Sequence, residues 1–166
     1  MMRLIGRARR FLRGRDGGQS LVEFTLLIPV LMIFVVAVID FGKMLLTYQV
    51  MTNAAREGAR RAAVANDLAT EASVRSAIIK SLDPVIDSAK VQFVAKNPDG
   101  SCPAMTTGAT NGYALVYGCG WDGTPTTVTD AVVGIAFDYK TVLLGRFLES
   151  TPGTFPLKTR MVYRNE

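Results

Sequence analysis

The chain has 166 residues, a net charge of +5, two cysteines and no histidine. That length suits one small domain plus an anchor, and the missing histidine excludes Ser-His-Asp and Cys-His catalysis as well as histidine metal sites. The excess charge is not a nucleic-acid signal: Arg3, Arg7, Arg9, Arg10, Arg13 and Arg15 against Asp16 account for all of it, and the remainder of the chain is charge-balanced.

Behind the basic leader, residues 1–18, comes an apolar stretch. Phe24 to Ile39 carries no charge. As a helix, Ser20 to Phe41 would span about 33 Å at roughly 1.5 Å per residue, enough to cross a bilayer. Residues 19–43 are therefore expected to be a transmembrane helix, with the arginines holding the N-terminus in the cytoplasm and the C-terminal part exported. An ordinary cleaved signal peptide is the competing reading, but the run is longer than a typical apolar core and Asp40-Phe41-Gly42-Lys43 offers no small-residue cleavage pair.

Glu23 breaks the apolar pattern. An acidic side chain there costs on the order of 2.5–3.5 kcal/mol on insertion scales, which makes it a functional candidate. A cut after Gly18 would answer the problem: the new α-amino group of Gln19, on the same or a neighbouring chain, would lie one helical turn away and neutralise the carboxylate. Pro29 removes the hydrogen bond to the Thr25 carbonyl, which predicts a kink. This is either a flexible point for leaving the membrane or a proline that a membrane helix simply tolerates.

Gly18, Glu23 five residues later and the long apolar helix together resemble the processing site of type IV prepilins. Ile39-Asp40-Phe41-Gly42-Lys43 and Thr52-Asn53-Ala54-Ala55-Arg56-Glu57-Gly58-Ala59-Arg60 resemble the TadE family of minor pilins in tight-adherence (Flp) pilus systems. The resemblance covers residues 17–65. It implies a structural minor pilin or pseudopilin in the inner or plasma membrane, cut by a prepilin peptidase between Gly18 and Gln19. The implied partners are that peptidase, other minor pilins, the major Flp pilin and the membrane assembly platform, with Glu23 acting in assembly. It implies no enzyme activity, no cofactor, no nucleic acid and no small-molecule substrate.

Helical periodicity continues through residues 44–82. Phe41, Leu45, Tyr48, Thr52, Ala55, Ala59 and Ala62 fall on one expected face. Asn53, Ala55, Arg56, Glu57, Gly58 and Arg60 are either a contact surface for partner subunits or part of an amphipathic helix docked on its own sheet. Asn66-Asp67 interrupts the pattern, Asp67 or Thr70 can cap a second helix over about 68–82 with Val74, Ala77, Ile78 and Ser81 inward, and Asp83-Pro84 stops it.

Residues 83–166 switch to a period of two. Val91, Phe93 and Ala95 form one strand, followed by the turn Asn97-Pro98-Asp99-Gly100. Tyr113, Leu115 and Tyr117 form a second, Val133, Ile135, Phe137 and Tyr139 a third, and Phe155, Leu157, Thr159, Met161 and Tyr163 a fourth. Leu143 to Leu148 reads as an apolar crossover, and 97–112 and 118–127 as loops. The expected class is α+β, a small antiparallel sheet packed on the helices. Cys102 and Cys119 both lie in this exported head, where a disulfide is the natural state and free thiols the alternative. The bond would be worth roughly 3 kcal/mol in the chain-entropy model. The turns Asp99-Gly100-Ser101 and Trp121-Asp122-Gly123 have no acidic cluster around them for calcium or a carboxylate dyad. Two other readings stay open: a permanently anchored exported binding module, and an anchored two-carboxylate hydrolase.

Overall fold

The computed structural model describes residues 16–64, 71–95, 97, 101–105, 112–119, 130–141 and 154–164. The leader arginines, the Asn66-Asp67 break, Thr70, the 98–100 part of the turn, Trp121 to Gly123 and the Leu143–Leu148 crossover lie outside these. The chain divides into two units between Ile39 and Asp40.

The first unit is the N-terminal half of helix α1, which spans Asp16–Val64 as one helix. From Leu21 to Ile39 its large apolar side chains, apart from half-buried Val36, are exposed. A dozen of them lie between Phe24 and Ile39. At about 1.5–3 kcal/mol per side chain, leaving them in water would forgo on the order of 20 kcal/mol, far too much for a bare helix in solvent. The helix is long and apolar enough to cross a membrane, with a mean hydropathy of 2.7 over its most apolar window.

The second unit is the head. Helix α2 (Glu71–Leu82) leads through a one-turn 3₁₀ helix (Ser88–Lys90), N-capped by the Asp87 side chain on the Ala89 amide, into strand β1 (Val91–Val94). Strands β2 (Ala114–Cys119), β3 (Asp130–Lys140) and β4 (Thr154–Arg164) follow. The sheet order is β1-β2-β3-β4. The α+β class and both helices agree with the sequence reading, but the sheet is mixed rather than antiparallel. β2–β3 and β3–β4 are antiparallel, whereas β1 runs parallel to β2, Val91 opposite Ala114. Two strands joined by a tight turn must be antiparallel. The connection over 95–113 is long enough for a return crossover, and that permits the parallel pair.

The core lies between one face of the sheet and the two helices. Met51, Ala54, Ala55, Ala59 and Ala62 of α1 and Val74, Ile78 and Leu82 of α2 cluster with Ala114, Val116, Ala131, Val133 and Ile135. β2 thus presents Ala114 and Val116 to the helices, while Tyr117 belongs to the opposite face, the reverse of a core built on its larger side chains. β3 is buried on both faces, with Val132 and Ala136 covered as well as Val133 and Ile135. On β4, Leu157 and Met161 pack on the core and Thr159 is buried, but Phe155 and Tyr163 are exposed.

The expected face of α1 needs a second correction. Asp40, Thr47 and Met51 are buried, whereas Phe41, Leu45 and Tyr48 are 56%, 44% and 43% exposed. The buried stripe is rotated by about one residue in this part and coincides with the expected face only at Ala55, Ala59 and Ala62. The cause is close packing: the small side chains beyond residue 51 fix which side of α1 meets the sheet, and helical geometry carries that choice back to Thr47 and Asp40. Thr47 is accommodated because its hydroxyl donates to the Lys43 carbonyl at 2.9 Å.

Candidate processing and assembly segment

Gly17 and Gly18 sit in the first turn of α1, where backbone amides have no intrahelical acceptor. Glycine is a poor helix former, so unwinding this turn costs little. A side chain at Gly18 would meet no heavy atom within 4 Å.

Gln19 and Glu23 lie one turn apart on the same side of α1. The Gln19 amide nitrogen, Nε2, donates to Glu23 Oε1 at 3.3 Å. Both residues are exposed. The contact is made by the Gln19 side-chain amide and not by its backbone nitrogen, so it shows that residues 19 and 23 share one side of the helix. One turn on, the Thr25 hydroxyl donates to the Leu21 carbonyl at 2.8 Å. The helix then continues through Pro29 without a break.

The segment Asn53 to Arg60 splits into two faces. Ala54, Ala55, Gly58 and Ala59 are buried, and Asn53, Arg56 and Arg60 are exposed. At Gly58 α1 lies tight against α2: a Cβ there would lie 2.6 Å from Ile78 Cγ1 and 2.7 Å from Ile78 Cδ1, with Val133 Cγ1 at 3.6 Å. The small residues are thus occupied by this chain's own head. On the outer side Glu57 accepts from Arg61 Nε at 2.6 Å and lies 3.5 Å from Arg60 Nε. The hydrogen bond from Arg61 holds the Glu57 carboxyl below its ordinary value against burial, which raises it, and the charges of Arg60 and Arg61 add to the lowering. Arg56 makes no ion pair among the described residues. Near the start of the head, burial raises the Tyr139 hydroxyl, with the Asp40 charge adding to it.

Cys102 and Cys119 form a disulfide with Cα atoms 5.6 Å apart. The bond ties residues 101–105 to the end of β2 and lays them as a strap over the sheet face opposite the helices. Met105 covers Gly134 so closely that a Cβ at Gly134 would sit 2.7 Å from its Sδ. Lys158 Nζ donates to the Met105 carbonyl at 3.1 Å, and Asn97 Nδ2 to Ser101 Oγ at 2.9 Å. Tyr117, Val132, Gly134 and Arg160 line a cavity of about 220 Å³ beneath the strap. Among the described residues no group of three or more Cys, Asp or Glu side chains is placed to hold a metal ion.

Sequence reasoning missed two features: the close approach at Gly58, signalled only by a glycine among alanines, and the strap, whose covering of Gly134 leaves no sequence signature. The model of the family described as TadE-like protein matches residues 18–60, which bears out the resemblance over that stretch. No curated protein and no solved structure matches the chain.

Proposed function

We propose that this chain, whose residues 18–60 match the TadE-like family of tight-adherence pilus systems, is a minor pilin or pseudopilin that supports pilus assembly. Residues 1–18 are a basic leader kept in the cytoplasm, 19–43 cross the inner or plasma membrane, 44–82 hold the extramembrane helices, and 83–166 complete an exported head. A prepilin peptidase cuts between Gly18 and Gln19. The freed ammonium of Gln19 pairs with Glu23, and the subunit joins other minor pilins, the major Flp pilin and the assembly platform. It is the peptidase's substrate and performs no chemistry of its own.

The observation that carries this reading is the family match beginning at Gly18 on a helix that is apolar all round, with Glu23 one turn from Gln19. A Gln19 ammonium would give that carboxylate a charged partner, and an unpaired charge among apolar helices costs several kcal/mol. The large head speaks against the role of bulk shaft subunit. N-terminal sequencing of protein extracted from membranes tests the proposal: the expected first residue is Gln19. An uncut N-terminus at Met1 or Met2 would overturn it and leave a permanently anchored binding module as the better account.

A further inference from the structure

The sheet ends on β4, which pairs with β3 along all 11 of its residues and has no strand on its other side among the described residues. The opposite edge, β1, is only 4 residues long. A long edge strand presents a row of unpaired amides and carbonyls, a template for one more strand. Pro156, near the start of β4, is a residue that sheets tolerate at edges, and every later position of the strand keeps its N–H. Alternation divides β4 into two rows. Leu157 and Met161 pack on the core, so Phe155, Thr159 and Tyr163 share their side, and Phe155 and Tyr163 stay exposed at its two ends. The other row holds Lys158, Arg160, Val162 and Arg164 on the face that the strap crosses. Lys158 donates to the Met105 carbonyl there, and Arg160 stands opposite Gly134, which Met105 covers.

The charge along this edge has one sign. β4 carries no acidic residue. On the neighbouring β3 the acids of the same face stand at its ends, Asp130 opposite Arg164 and Asp138 opposite Pro156. Between them Lys158 and Arg160 face Ala136 and Gly134, and among the described residues neither forms an ion pair. Charges on an edge keep strands away, but they do so by sign. A second copy added antiparallel would set its own cations against Lys158 and Arg160, and like charges directly across a pair are destabilising. A strand with acids in that row gains opposite-charge pairs instead, and apolar residues at its alternate positions would cover Phe155 and Tyr163. We propose that the open edge of β4 receives an extended segment of a partner protein in which acidic and apolar residues alternate, with the acids beside Lys158 and Arg160. Backbone pairing holds the segment, and the basic row selects it. This inference concerns the head alone and is independent of leader cleavage, membrane crossing and pilus assembly.

The test titrates the full chain in neutral detergent with a fluorescent, end-capped peptide of alternating glutamate and valine, read by anisotropy. Two control peptides carry lysine in place of glutamate, or methyl groups on alternate backbone nitrogens. Both controls are expected to bind about tenfold more weakly or worse, the first through like-charge pairs and the second through lost backbone hydrogen bonds. The combined variant Lys158→Glu, Arg160→Glu should reverse the preference between the glutamate and lysine peptides. Amide exchange followed residue by residue should show alternate amides of β4 exchanging freely in the chain alone and slowing when the glutamate peptide is added. Equal binding of the N-methylated peptide overturns the proposal, because it reveals ionic association without strand pairing. So does failure of the parent to bind the glutamate peptide, or an unchanged preference in the charge-reversed variant. Protection of every β4 amide before any peptide is added would mean that this chain already covers the edge. A dimer that the glutamate peptide does not dissociate would mean that a second copy does. Either result also overturns it.

Discussion

Gly58 offers a direct test of how the helices seat on each other. Replacing it with alanine in a free helix would stabilise by about 1 kcal/mol through propensity alone. Here the new methyl would lie 2.6 Å and 2.7 Å from two carbons of Ile78, where ordinary carbon contacts are about 3.5–4.0 Å. Ile78 is fully buried in the cluster that holds Val74, Leu82 and Val133, so moving it disturbs the core. Overpacking of that size costs about 1–3 kcal/mol and exceeds the propensity gain at most of that range, so Gly58→Ala is expected to destabilise the head by about 1 kcal/mol net. Gly58→Val, with two more methyls and restricted rotamers, should cost about 3 kcal/mol or more. The decisive measurement is a double-mutant cycle with Ile78→Ala, followed by denaturant unfolding of the full chain in detergent. Ile78→Ala alone should cost about 2–5 kcal/mol and removes both clashing carbons. In that background Gly58→Ala should become stabilising, because only the propensity gain remains. If Gly58→Ala has the same sign and size in both backgrounds, α2 does not rest on α1 at this point and the account of the small-residue face is wrong.

Three further outcomes are expected. Without reductant, a thiol-reactive label should modify neither Cys102 nor Cys119 in the unfolded chain, and replacing either should cost about 2–5 kcal/mol and reduce subunit amount; ready labelling of both would remove the strap's covalent tie. Gly18→Phe should accumulate precursor-sized protein, whereas Glu23→Ala should be cut and inserted but support few pili; normal pili from both variants would defeat the assigned roles, as read by immunoblot and counts of surface pili. Glu57 has its carboxyl lowered in the folded state by Arg61 and Arg60, so the pair adds stability above the unfolded carboxylate range near pH 4.3 and loses it as pH falls through the lower folded value. Glu57→Gln should therefore narrow the stability gap between pH 6 and pH 3 by a small amount, as expected for a surface pair, and a gap that stays the same or widens would contradict the sign.

What could be read from the sequence follows from which forces are local. The apolar run, the second helix and the four strands were legible because each depends on periodicity within its own segment, and residues 18–60 were legible because a motif repeats residue types at fixed spacing. Strand direction was not, because whether β1 lies parallel or antiparallel to β2 depends on the course of residues 95–113, and no local pattern records that. The buried side of α1 was misjudged for a related reason. Hydrophobicity assigns Phe41, Leu45 and Tyr48 to a core, yet the chain buries Asp40 and Thr47 beside them and leaves the large side chains out. A soluble domain would gain several kcal/mol by the opposite choice. The observed choice is favourable only if the exposed side of α1 also has an apolar neighbour, lipid or another helix, beyond the end of the uncharged run at Ile39. The same condition holds for Leu21 to Ile39, exposed along the whole helix. From Asp40 to Tyr48, α1 thus turns Asp40 and Thr47 into the head and leaves Phe41, Leu45 and Tyr48 outward, a division set by the packing of the small residues beyond Met51 and not by side-chain hydrophobicity.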